Sequence, residues 1–263
     1  MRLLNHIKTG KVIRLVNQDK QRLVIMEDKH YRWLIFDAII QSVMLKRAPN
    51  RVLMPHQQAL LIPLLFTKPS RIIELGLGGG NFTRSIKALS PNSQLITAEN
   101  DKDVIRAFDD YFNPEAIRFD IRHQTGEQLL VEQHNKFDWV VCDIYDHDNH
   151  HFMEQIKQSL LTQQSPTYWT INLPDMPENK LNKLLESLRV ITQQVLDTMR
   201  MSYQVNYLEV PRFKNVIIYI FPLPLVRLLP EECLLPLHFA RRLTVAWQHT
   251  IQVGPFQSSL ASE

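Results

Sequence analysis

Apolar residues follow two different rhythms along this chain. Over the first 45 positions they come in short runs rich in β-branched and aromatic residues, at 11–16, 22–26, 31–36 and 39–44, with the polar stretch Glu27-Asp28-Lys29-His30 between two of them. Such runs predict a small antiparallel sheet. Residues 55–66 predict a helix, with Pro55 at its start and Pro63 as a break near its end. From residue 71 onward, strand and helix patterns alternate. Strands are predicted over 71–75, 94–98, 116–121, 137–142 and 167–172, and helices over 81–89, 101–111, 126–133, 150–162 and 178–199. Asp101 is placed to cap the second helix. Two late strands, 203–210 and 216–221, flank a Pro-Arg-Phe-Lys-Asn turn and predict an antiparallel pair at the sheet's edge. Prolines then punctuate the chain before a last amphipathic helix over 237–247 and a polar tail. Alternating strands and helices imply a mostly parallel sheet covered on both faces. The expected division is an N-terminal antiparallel β domain over 1–54, a Rossmann-like domain over 55–223, and a C-terminal helix and tail over 224–263.

The alternating part begins with a distinctive stretch. The strand at 71–75 runs into Gly76-Leu77-Gly78-Gly79-Gly80, which holds four of the seven glycines in the protein. A helix opens directly after it, and the next strand leads to an acid, Glu99. Glycine lets a backbone come close to a ligand, and a helix start offers unpaired N–H groups. An acid about 20 residues further on is where a ribose diol would be held. The pattern is G-x-G-x-G, with Asn81 at the sixth place, where a dinucleotide-binding turn would have glycine. This variant suits a nucleoside with an amino-acid or alkyl tail better than one with a pyrophosphate. Glu74 precedes the glycines by two residues.

In an open α/β sheet the ligand lies beyond the carboxyl ends of the strands. Those ends supply the glycine turn, then Glu99, then the Gln124-Thr125-Gly126 turn, and after the buried strand at 137–142 the run Asp143-Ile144-Tyr145-Asp146. Two carboxylates three residues apart, beside a nucleoside tail, can hold a cationic amine and take its proton. The competing role is structural, with Asp143 bonding backbone N–H groups and Asp146 capping the next helix. His147 and His151 lie four residues apart near carboxylates, but no third ligand is suggested by spacing, so no metal is expected. Cys142, ending a buried strand, reads as packing rather than a nucleophile.

Composition adds bounds. Only two cysteines are present, Cys142 and Cys233, which excludes a disulfide framework or a cysteine zinc site and makes a reducing compartment the default. The first residues hold no long apolar run, so no signal peptide is expected, and no stretch approaches the roughly 20 apolar residues that span a membrane. A cytoplasmic location is the expectation. The net charge of +3 hides an uneven split: residues 1–66 hold eleven Lys/Arg against four Asp/Glu. These charges alternate with apolar positions, as on the solvated face of a sheet, so nucleic acid is not an expected partner.

With these residues in view, the chain resembles the spermidine synthase (polyamine aminopropyltransferase) family, and within it the spermidine synthase-like branch, from about residue 24 to 221. Phe36-Asp37-Ala38-Ile39-Ile40-Gln41 resembles the family's Leu-Asp-Gly-Val-Ile-Gln hairpin, Ala98-Glu99-Asn100-Asp101 its Val-Glu-Ile-Asp element, and Asp143-Ile144-Tyr145-Asp146 its Asp-Ser-Ser-Asp element. The resemblance implies a seven-stranded Rossmann-like domain of the class I methyltransferase type behind the N-terminal sheet. It implies that Gln41, Gly76, Gly78, Gly80, Glu99, Thr125 and Gly126 bind S-adenosylmethionine or its decarboxylated form as substrate. Asp143 would be the base and Asp146 the amine anchor. It further implies an amine acceptor, no metal, and a homodimer through the N-terminal sheet. The sequence also departs from the family. Gly79 stands where synthases carry an inner acid, and Thr125 where an adenine-contacting acid is expected, with Glu127 as a substitute. Pro55 replaces a tyrosine, and Arg212-Phe213-Lys214-Asn215 replaces the stretch that gates the diamine. Two added cations would oppose a diamine. The expected function is aminopropyl transfer to an amine. Methyl transfer from S-adenosylmethionine and a non-catalytic nucleoside-binding or scaffold role are the alternatives.

Overall fold

The structure is a computed structural model, and it describes residues 6–17, 22–37, 39–133, 137–144, 149–162 and 165–253. Strands β1 (Lys11–Asn17), β2 (Arg22–Glu27), β3 (Tyr31–Phe36) and β4 (Ile39–Leu45) form an antiparallel sheet in sequential order. Alternation buries one row of its side chains: Leu23, Ile25, Leu34 and Met44 pack with Leu77, Val104, Phe108 and Phe112 of the neighbouring layer. The small sheet is thereby seated directly on the glycine turn. In β4, Ser42 pairs with Leu34 and Ile40 with Ile35, which leaves Gln41 as the extra residue of a β-bulge.

The second sheet has eight strands. Its order is β12 (Ile251–Gln252), β10 (Tyr203–Glu209), β11 (Asn215–Pro222), β9 (Tyr168–Pro174), β8 (Trp139–Cys142), β5 (Arg71–Leu75), β6 (Gln94–Glu99) and β7 (Asp120–His123). β7, β6, β5, β8 and β9 are parallel. β5 and β8 are almost wholly buried, as central parallel strands covered on both faces are. The seven expected strands are present. The eighth, β12, is a two-residue addition that pairs with Asn206 and Tyr207. The late pair is antiparallel at that edge, as expected, with β11 between β9 and β10 and antiparallel to both.

Helices α1 (Pro55–Ala59), α2 (Asn81–Leu89), α3 (Lys102–Ala107), α4 (Gly126–Glu132), α5 (Asn149–Thr162), α6 (Glu178–Met199) and α7 (Leu237–Gln248) cover the sheet. α6 turns Leu181, Leu185, Leu188, Ile191 and Val195 inward at helical spacing. Asp101 caps α3 as expected, accepting from the N–H groups of Asp103 and Val104. The expected helix over 55–66 is split: α1 ends at Ala59, and a 3₁₀ turn (Ile62–Leu65) contains Pro63. The expected strand over 116–121 begins later, at Asp120. The side chain of Asn113 donates to Ile117 O and accepts from Ile117 N, closing a turn in which Ala116 has φ +48°.

Candidate active site

The carboxyl ends of the parallel strands meet at one rim, which main-chain bonds hold together. Gly76 N donates to Ala98 O at 2.9 Å and Asp143 N to Leu75 O at 2.8 Å. A Cβ at Gly76 would lie 2.5 Å from Asp143 O, so the glycine lets the end of β8 close against the turn. Gly126 plays a similar part at the start of α4, where a Cβ would lie 2.7 Å from Ile144 Cδ1. Gly80 is the N-cap of α2, with φ +64°, and the Phe108 ring would lie 2.1 Å from a Cβ there. At Gly78, with φ +50°, a Cβ would meet nothing within 4 Å. Of these four glycines, only Gly78 leaves open space where a Cβ would stand.

Glu99 ends β6 and faces that turn. Its carboxylate accepts from Leu77 N at 3.1 Å and from Asp101 N at 3.0 Å, and also from Gly78 N. Burial pushes its pKa up against the pull of these three donors. Glu74, two residues before the turn, is 2% exposed. Its Oε2 accepts from Thr83 Oγ1 at 2.6 Å and Thr97 Oγ1 at 2.7 Å. Burial drives its pKa to about 8, so at neutral pH it is a carboxylic acid tying β5 to β6 and α2.

Asp143 lies at the end of β8, and Asn172 of β9 donates to its Oδ1 at 2.7 Å. Asn215, the first residue of β11, donates in turn to Asn172 Oδ1 at 2.9 Å. Burial raises the pKa of Asp143, and the Asn172 bond partly offsets this. Cys142, beside it, is pushed up to about 12 by burial and stays a thiol, as its reading as packing required. Asp146 and His147 lie outside the described residues.

The other implied positions divide. Gln41 joins the site through its main chain: Gln57 Nε2 donates to Gln41 O at 3.5 Å, and Gln57 Oε1 accepts from Asn81 Nδ2 at 2.7 Å. Thr125 is committed to its helix. It forms a capping box with Gln128, its Oγ1 accepting from Gln128 N at 3.2 Å. An open groove of about 640 Å³ runs beside it, lined by His123, Gln124, Glu127, Gln128 and Gln155. At Gly79 a Cβ would lie 2.4 Å from Ser42 Oγ, so Ser42 of β4 fills the place an added side chain would need. On the far side of the rim, Phe213 packs edge-on against His56, with ring centroids 5.4 Å apart. His56 is buried, its Nδ1 has no hydrogen-bond partner among the described residues, and burial lowers its pKa to about 4. Lys214 is drawn outward to Asp175 at 2.9 Å. Among the described residues, no cluster of three His, Cys, Asp or Glu could hold a metal ion. No described helix is long and apolar enough to cross a membrane.

The fold is similar to that of several solved structures. A probable spermidine synthase from Corynebacterium glutamicum superposes with a TM-score of 0.63 at 15% identity, over 80% of each chain. A spermidine synthase solved with the transition-state analogue AdoDATO gives 0.55 at 16%, over 89% of this chain and 88% of that one. Human methyltransferase-like protein 13, solved with SAH, gives 0.54 at 15%, over 79% of this chain and 98% of that one. In sequence, polyamine aminopropyltransferases of Neisseria meningitidis serogroups A and B are each 30% identical over 112 residues. That match spans 41% of this chain and 42% of each relative, less than half their length. No family model matches the chain. The chain is thus similar to proteins of the spermidine synthase (polyamine aminopropyltransferase) family, as its motifs suggested.

Proposed function

We propose that this chain is a spermidine synthase-like transferase that binds an S-adenosyl nucleoside and moves an aminopropyl group from its sulfonium to an amine. One observation carries this: Glu99 and Asp143 end the two strands that flank β5, whose turn holds Gly78, where an added Cβ would meet open space. In this proposal Glu99 holds the ribose hydroxyls, and the adenine end lies toward Gln124 and Gly126, with Glu127 in the adjoining groove. The acceptor nitrogen attacks the carbon next to sulfur and the C–S bond breaks. Neutral methylthioadenosine leaves, and Asp143 takes the proton the nitrogen sheds. Asp146 anchors the amine. The solved synthase with its analogue and the methyltransferase with SAH support an S-adenosyl substrate. The same proposal has the protein acting in the cytoplasm on small molecules, as a homodimer. The outermost strand of its small sheet leaves Val12, Ile13 and Leu15 exposed, which suits such a contact.

Methyl transfer is the second reading, and Gly79 favours it. No carboxylate is present there to meet the amine of a decarboxylated tail, and Ser42 occupies the place of a side chain. Calorimetry with S-adenosylmethionine, its decarboxylated form and methylthioadenosine tests both. Preference for the decarboxylated donor supports aminopropyl transfer, and preference for S-adenosylmethionine supports methyl transfer. Absence of binding by all three at millimolar concentration removes both.

A further inference from the structure

The guanidinium of Arg84, on α2, is buried directly behind the glycine turn, at 3% exposure. No carboxylate lies within ion-pair distance of it among the described residues. A buried charge without a counter-ion is costly unless its donors are otherwise satisfied. Here main-chain oxygens from three separate segments do this. Nε donates to Pro49 O at 2.9 Å, in the connection that leads out of the small sheet. Nη1 donates to Gly79 O, in the turn itself, and to Phe112 O at 2.7 Å, after α3. Nη2 donates to Asn81 Oδ1 at 2.7 Å, and Asn81 hands on to Gln57 of α1. Burial lowers its pKa to about 9, which still leaves it charged at neutral pH.

We infer that Arg84 is a positioning residue for the nucleoside turn: it fixes the Gly79 peptide, and through it the open position at Gly78, to the small sheet, to α1 and to the segment after α3. The inference rests on the nucleoside-binding reading above and adds a residue that makes no contact with the ligand. A planar fork with five donors can hold separate carbonyls at fixed angles, whereas an ammonium cannot. Each half of the site, the turn and the wall built from Gln41, Gln57 and Asn81, therefore has its place set by one side chain.

The test compares Arg84→Lys with Leu188→Ala, a cavity in the α6 core that touches none of the guanidinium's hydrogen-bond partners. Both should lower the melting temperature. Arg84→Lys should also weaken methylthioadenosine binding, measured by calorimetry, by about tenfold or more, because small displacements of positioning groups carry large penalties. Leu188→Ala should leave the Kd within about twofold of wild type, as a site distant from the ligand does. Should Arg84→Lys not fold, Asn81→Leu takes its place. It removes one partner of the guanidinium and should weaken binding. Equal nucleoside affinity in wild type and Arg84→Lys, or in Asn81→Leu where that variant is used, overturns the positioning role and leaves the nucleoside reading standing. Absence of binding by wild type overturns both.

Discussion

The side-chain amide of Asn172 donates to Asp143 Oδ1 at 2.7 Å, across the ends of two neighbouring parallel strands. This bond favours the ionised carboxylate, whereas burial of Asp143 opposes it. A base must be ionised to accept a proton, so transfer should fail as pH falls through the raised pKa of Asp143. Asn172→Leu removes the donor and should move the acid limb of the pH–rate profile to higher pH. Asp143→Asn should lower kcat by about 10²–10⁴ while nucleoside affinity is retained. An unshifted acid limb in Asn172→Leu would mean that another group sets the profile.

Two glycines of one turn should respond differently to the same added methyl. At Gly78 it meets open space, so Gly78→Ala should cost only the left-handed backbone penalty, about 1–2 kcal/mol, and yet block the nucleoside. At Gly80 the methyl meets the Phe108 ring at 2.1 Å, so Gly80→Ala should destabilise the fold by about 1–3 kcal/mol beyond that penalty. Thermal melts and calorimetry on the two proteins separate these outcomes.

Glu74 sets a pH dependence of stability. Its folded pKa, about 8, lies above its ordinary value of 4.5, so between these pH values the folded state holds a proton that the unfolded state has lost. Stability should therefore fall as pH rises through this window, by up to about 5 kcal/mol, and level off above it. Glu74→Gln keeps an oxygen to accept from Thr83 and Thr97 but cannot ionise. Urea unfolding at pH 5 and pH 8 should show a smaller loss for the variant than for wild type. Equal losses would mean that Glu74 is already ionised at pH 5.

Phe213 lays its ring edge-on against the buried His56. In wild type the imidazole should stay neutral down to about pH 4. Phe213→Ala should expose it and let its pKa climb toward the ordinary value of 6.5. An NMR titration of the ring protons reads this directly, and an unchanged midpoint would place the cause of the shift elsewhere.

Much of this is legible in residue order. Glu99 and Asp143 stand where buried parallel strands end, and both face the rim. The same rule applied to β9 points to Asn172, where the expected strand ends, but an amide carries no charge and so looks like filler. Asn215 escapes the rule because β11 runs the other way and presents its first residue to the rim. Arg84 is hidden in the sequence because its partners are mostly main-chain oxygens from segments far apart along the chain, which leave no side-chain signature. Thr125 has the look of a ligand contact, but the same residue type begins helices, and Gln128 three places on is the sign of a capping box. The late start of β7 depends on a single asparagine turn that competes with strand pairing at 113–117.

The reversed direction of β11 has a consequence for how such a protein can diversify. Its turn, closed by Phe213 N to Val210 O and Val210 N to Asn215 O, is delivered to the rim by the last third of the chain. The glycine turn, Glu99 and Gly126 are all contributed earlier. If the proposed transfer holds, with this turn on the acceptor's side, a graft of the five residues from 210 to 214 should re-tool what is alkylated while the donor's berth is left untouched.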